Sequence, residues 1–286
     1  MMMQTVSSRN KAYRSMAKHS LRILVYLNTP MVFPKEAIHL DSLLTEVVAR
    51  ELFGNTPDRW QNVDKQTRLP LPLNETRGKY PVWKSSIAFT SFLVKEHQDF
   101  WVKQTNQEFS GYIAKSIVWP AGVINDKITK SFAKEVTLEK PTGPVNNPTS
   151  GGFKSYFEKR NLVSADYLLF HANGNAEEIE RLLSKLNGIG KKTAIGFGKI
   201  NKVKVDKIKE DYSLFTPDNK PSRHLPAPDF PNLKARIIAS PTSSPYWSKR
   251  NLVVCYAPTN TIPVWRWEAE DASTTFEDDW FSDWFE

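Results

Sequence analysis

The chain has 286 residues, 40% of them hydrophobic, which is enough to bury a real core and too apolar for a disordered polymer. Lys and Arg number 39 against 31 Asp and Glu, for a net charge of +8. Residues 268–286 hold eight carboxylates and no basic residue, so the body before them is more basic still. Such a body attracts polyanions rather than acidic small molecules, and its single cysteine, Cys255, excludes an internal disulfide and a multi-cysteine metal site.

The lone cysteine suits a reducing, cytoplasmic compartment. No run of 18 apolar residues offers a membrane span. Residues 1–20 carry no acid and read as a basic mobile arm. From residue 21, Leu21, Ile23, Val25 and Leu27 alternate with Arg22, Tyr26 and Asn28, the period of a strand buried on one face. Leu40, Leu43, Leu44, Val47, Val48 and Leu52 then recur at helical spacing, with Asp41 in the first turn and Gly54 past the end. Residues 55–84 contain four prolines and read as a long loop before a second strand, Ile87 to Val94.

Between Lys95 and Arg160 the periodicity weakens. Trp119-Pro120-Ala121-Gly122 and Pro141-Thr142-Gly143-Pro144 are turn signals. Lys115, Lys154, Lys159 and Arg160 stand among aromatics, so 112–160 reads as a basic, β-hairpin-like insertion in which Trp119 or Phe153 could stack on an unpaired base. The same segment also reads as a solvated loop, the usual fate of a charge run.

Ala165 to Ala172 is nearly continuous apolar, as a strand covered on both faces should be. Asn175 can cap a helix with Glu178 three residues on, and Ile179, Leu182, Leu183 and Leu186 form its buried stripe. Lys199 to Asp206 is a fourth strand. The order βαβ-insertion-βαβ over 21–206 predicts an α+β protein with a ferredoxin-like, RRM-like βαββαβ core. Residues 207–267 are a proline-rich C-terminal wrap with strands expected at Leu252–Tyr256 and Ala235–Ala239.

The acidic tail, 268–286, carries five aromatics. Trp280, Phe281, Trp284 and Phe285 fall on one face of a helical turn and suit docking on a partner protein. The alternative is that its carboxylates cover the basic face as a polyanion mimic.

Gly188-Ile189-Gly190-Lys191-Lys192-Thr193-Ala194-Ile195-Gly196-Phe197-Gly198 lies between a helix and the last strand. Glycines permit close backbone approach, and amides with lysines can hold phosphates. A phosphate-binding P-loop fails because Lys185 stands at its first glycine and Lys192 at its Ser/Thr. A dinucleotide fingerprint fails at Thr193, and both need strand-loop-helix order. Leu186 to Ala194 also looks like a helix-hairpin-helix DNA-binding turn, whose second helix would have to accommodate Gly196 and Gly198 at about 1 kcal/mol each. A purely structural turn is the remaining reading.

In context, the loop resembles that of the RAMP superfamily of CRISPR proteins. Pro30-Met31-Val32 through His39-Leu40-Asp41-Ser42-Leu43-Leu44 resembles the start of its guide-capping Cas-five subunits, closest to the type IV version. The resemblance implies a non-catalytic subunit that binds the 5′ handle of CRISPR RNA (crRNA) and caps a filament of Cas-seven-type backbone subunits. A large DNA-recognising subunit would complete the complex, and target DNA would be reached by base pairing. It implies RNA contacts at Gly188, Gly190, Lys191, Lys192, Thr193, Gly196, Gly198 and Lys199, with neither cofactor nor metal.

Some RAMP relatives process guide RNA with a histidine. Of His19, His39, His97, His171 and His224, only His39, at a helix start that flanks the RNA face in this fold, is placed for RNA contact or for a metal-independent endoribonuclease. His171 reads as a core residue.

Overall fold

The structure is a computed structural model that describes residues 6–32, 37–56, 60–61, 63–90, 95–103, 113–114, 138–139 and 156–258. Along the chain come α1 (Val6–Ser15), β1 (His19–Leu27), β2 (Met31–Val32), α2 (Leu40–Phe53), α3 (Val63–Gln66), β3 (Phe89–Thr90) and β4 (Lys95–Lys103). Then follow β5 (Ile113–Ala114), β6 (Leu138–Glu139), β7 (Tyr156–Ser164), β8 (Tyr167–Gly174), α4 (Ala176–Leu183), β9 (Ile200–Lys207), β10 (Leu225–Pro226), β11 (Ile237–Pro241) and β12 (Leu252–Tyr256). The protein is of mixed helix and antiparallel sheet.

Its main sheet runs β3-β8-β1-β9, and every neighbouring pair is antiparallel. The alternation read in β1 places Leu21, Ile23 and Val25 on the same face as Leu168, Phe170 and Ala172 of β8. Leu44, Val47 and Val48 of α2 and Ile179, Leu182 and Leu183 of α4 cover that face, each fully buried side chain contributing on the order of 1.5–3 kcal/mol. Asn175 caps α4 as its sequence predicts, its side chain accepting from the Glu178 N–H at 2.9 Å.

Two segments of the described residues depart most from the expectation. Residues 6–15, expected within a mobile arm, form helix α1. Tyr13 is buried and donates to Glu178 Oε1 at 2.7 Å, and Arg9 pairs with Glu51 at 2.6 Å. One of the basic residues that suggested a free arm, Arg9, is instead a counterion for Glu51 on α2, and Tyr13 ties the helix to Glu178 on α4.

The loop expected over 55–84 also contributes to the core. Leu69, Leu71 and Leu73 are buried in the main cluster, and the Asn74 N–H donates to the Asn173 carbonyl at 2.8 Å. Pro70 and Pro72 alternate with these leucines, and a proline is tolerated where no ladder hydrogen bond is required of its nitrogen.

The C-terminal region adds a three-stranded sheet, β10-β12-β11, with β11 two residues later than expected. The described residues up to 97 and from 162 to 258 form one compact unit, and those between 98 and 161 form a second that contains the antiparallel pair β5 and β6.

Candidate functional site

The glycine-rich loop is anchored to the segment after β1. The Lys191 N–H donates to the Val32 carbonyl at 3.0 Å and the Gly198 N–H to the Pro30 carbonyl at 2.9 Å. Thr29 closes the other side, its Oγ1 donating to the Gly196 carbonyl at 2.7 Å and accepting from the Lys199 N–H at 2.9 Å. The Ile189 N–H donates to the Gly198 carbonyl, and the Ile195 and Gly196 N–H groups close a short 3-10 turn, Thr193–Ile195.

Six loop amides are therefore engaged inside the protein. The loop is thereby a pinned scaffold, and those six N–H groups are directed into the protein. Lys191, Lys192, Thr193 and Lys199 are all exposed.

Two of the glycines have different reasons to be there. A Cβ on Gly190, at φ 94°, would lie 2.6 Å from Met31 Cγ and 2.8 Å from the Val32 carbonyl. That glycine serves the packing of the loop on β2. Gly196 also has positive φ, 97°, but nothing lies within 4 Å of its missing side chain, so its open face is the part of the backbone that a ligand can approach. Gly188 and Gly198 sit at the base of the loop, where Gly188 bridges to Lys199.

Beside the 3-10 turn lies a cavity of about 470 Å³, lined by Asn187, Thr193, Gly196, Lys199 and Lys202 among others, with no acidic residue in its wall. Near the same end of β1, Tyr26 and Tyr167 pair across the strands with ring centroids 5.7 Å apart, and Lys202 Nζ lies 4.7 Å from the centre of the Tyr26 ring. The sequence reading missed this aromatic pair. Its signal was present, since Tyr26 is a large aromatic at an outward position of β1, but its partner becomes visible only through the β1–β8 register.

His39 does not face the loop. It is buried, 2% exposed, with Nε2 2.9 Å from His224 Nδ1 and its ring stacked on Tyr246 at 4.1 Å. Tyr246 Oη donates to Asp41 Oδ2 at 2.8 Å and accepts from Arg223 Nη2 at 2.6 Å. Arg223 is fully buried. It donates to the Ser85 and Thr242 carbonyls at 3.1 and 2.9 Å and also binds the Trp83 carbonyl.

Burial first, then the His224 and Arg223 charges, hold His39 well below the ordinary histidine range. Burial and Arg223 bring His224 down to about 4. The enclosed histidine pair ties the C-terminal wrap to the start of α2. His171 is a core residue, as its sequence context predicts.

The helix-hairpin-helix alternative requires a second helix after Gly190. The chain makes only the three-residue turn there and enters β9 at Ile200. Lys159 and Arg160 stand on β7. Lys115, Trp119, Phe153 and Lys154, together with Trp280, Phe281, Trp284 and Phe285, lie outside the described residues. Among the described residues, no group of His, Cys, Asp or Glu is arranged to hold a metal ion, and no helix is long and apolar enough to cross a membrane.

A family model described as CRISPR type IV associated protein Csf3 matches residues 19–258. No curated protein matches the chain.

Proposed function

The chain belongs to the Csf3 family of CRISPR type IV associated proteins, and we propose that it is a non-catalytic subunit which holds the 5′ handle of crRNA and caps the filament of backbone subunits. The observation that carries this reading is the exposed lysine set Lys191, Lys192 and Lys199 on a loop pinned to β2, beside a cavity without an acid. A rigid, positively charged edge binds a phosphate chain without the cost of ordering a loop. Tyr26 and Tyr167 next to it supply a surface on which an unpaired base can stack, worth about 1–3 kcal/mol per base.

The core is read as ferredoxin-like. The order β3-β8-β1-β9 with antiparallel neighbours is what two interleaved βαβ units produce, and it supports that reading. RAMP backbone subunits and a large DNA-recognising subunit are the partners this role requires, with the tail aromatics Trp280, Phe281, Trp284 and Phe285 as a docking element.

The test is Lys191→Ala combined with Lys192→Ala. RNA affinity should fall, and the salt dependence should flatten by about 1.4, the value for two single-strand phosphate contacts. Wild-type affinity and slope would leave the loop a structural turn. Repeat-RNA cleavage by the purified chain would sink the non-catalytic part of the reading, and sequencing the RNA that copurifies would identify the handle.

A further inference from the structure

A second basic site lies at the opposite end of β1 from the glycine loop. A cleft of about 700 Å³ opens between α1, the segment 66–83 and the segment 242–253. Its volume falls within the range of about 300–1,000 Å³ that binding clefts occupy. Five basic residues line it, Arg14, Lys18, Arg68, Lys79 and Arg250, against a single acid, Glu75.

The charge arrangement of the cleft is unfavourable. Burial and the Arg14 charge both lower Lys18, and burial raises Glu75 in spite of Arg68 and Arg14 nearby. Arg250 also meets Asp64 at 3.6 Å, but two carboxylates do not balance five cations, and an anion entering the cleft would relieve that repulsion.

Polar side chains are also placed for such a ligand. Ser244 lines the cleft, is 7% exposed, and its hydroxyl has no hydrogen-bond partner. Arg68 holds a left-handed backbone conformation, φ 54°, as it lines the cleft. Strain of this kind collects at ligand sites.

We infer that this cleft binds the phosphodiester backbone of a single nucleic-acid strand, as a site separate from the glycine loop. Several cations spread along a cleft match a chain of regularly spaced phosphates better than one carboxylate or a compact anion. A cleft of this size takes a few nucleotides of one strand and not a duplex. Lys18 immediately precedes β1, whereas Thr29 and Pro30 at the loop follow it. The nine residues of β1 put roughly 30 Å between the two sites at ~3.3 Å per residue. One strand of sufficient length, or two separate strands, can occupy both. This inference does not depend on the handle-binding role of the loop.

The experiment titrates the full chain with a fluorescent single-stranded RNA of random sequence, starting near 50 mM salt, where phosphate contacts dominate. Arg68→Glu with Arg250→Glu should weaken binding at least about tenfold and flatten the salt slope by about 1.4. Arg14→Gln with Lys18→Gln is the second variant, should the first not fold. Its loss should add to that of the Lys191 and Lys192 variant, because the sites are far apart.

Unchanged affinity in a folded cleft variant overturns the inference and leaves the loop reading intact. A loss in the cleft variant with none in the loop variant supports the cleft and removes the loop. If the full chain shows no cleft dependence but a chain ending at Trp267 does, the acidic tail is the occupant and the inference fails for the intact protein.

Discussion

Arg223 is wholly enclosed and faces Asp41, also wholly enclosed, at 3.5 Å. Neither charge reaches solvent, so their survival depends on the oxygens and hydroxyl that surround them. Replacing Arg223 by Met would strand the carboxylate of Asp41 and should destabilise the fold by about 3–5 kcal/mol in urea unfolding. Tyr246→Phe removes one link and should cost about 1–3 kcal/mol.

The histidines set a pH dependence. His224 at about 4 and His171 at about 3 stay neutral when folded, whereas both bind a proton near 6.5 when unfolded. The unfolded state then carries more protons between pH 6.5 and 4, so stability is complete above 6.5 and falls as pH drops through that window. Each histidine contributes up to about 1.4 kcal/mol per pH unit. Unfolding free energies measured across this range should show the slope, and His224→Gln should reduce it. His39 was legible as a helix-start residue, but its partners are 185 and more positions away, and no local pattern could have shown that they enclose it.

At the scale of elements, two of the loop's three positive-φ glycines, Gly190 and Gly196, separate a packed backbone face from an open one. Gly190→Ala pays the left-handed backbone penalty of about 1–2 kcal/mol and also forces Met31 or the loop to move, about 1–3 kcal/mol more. Gly196→Ala meets no atom and should cost only the left-handed backbone penalty of about 1–2 kcal/mol. If both variants melt alike, the close contact with Met31 is not decisive.

Helix α1 offers a second test. Burial alone would raise the Glu51 carboxyl, but hydrogen bonds from Arg181 and Lys185 and the Arg9 charge bring it down to about 2. Deleting residues 1–15 should therefore lower the thermal midpoint, whereas a free arm could be removed without effect. Strands and helices with a clear period, β1, α2 and α4, were legible because one face of each meets one core. The helix at 6–15 was not, because it is held by charges on distant helices rather than by an apolar stripe. Leu69, Leu71 and Leu73 were hidden by the prolines between them.

At the scale of the whole molecule, the C-terminal wrap is part of the fold and not a cover over it. Arg223, His224 and Tyr246 all come from it and complete the environment of Asp41 on α2 and of His39 just before it. A chain ending at Lys207 keeps the four-stranded sheet in its sequence but loses every counterion of Asp41, and it should fail to unfold cooperatively in denaturant. The proline-rich composition of 207–267 suggested an irregular path around the core, and its described part, 207–258, carries the three-stranded sheet β10-β12-β11. Its energetic role was not legible, since a buried arginine announces itself only when its carboxylate is seen beside it.

The distance along the chain between Asp41 and its partners also imposes an order on synthesis. The chain leaves the ribosome from its amino end, so α2 is exposed long before Arg223 and Tyr246 have been made. Until then its carboxylate must remain hydrated, and α2 cannot close fully onto the sheet. The nascent protein is thereby held open for most of its translation and shuts only when the wrap emerges. A force-sensitive arrest peptide fused at successive lengths should register the main folding pull only in chains that have released Tyr246.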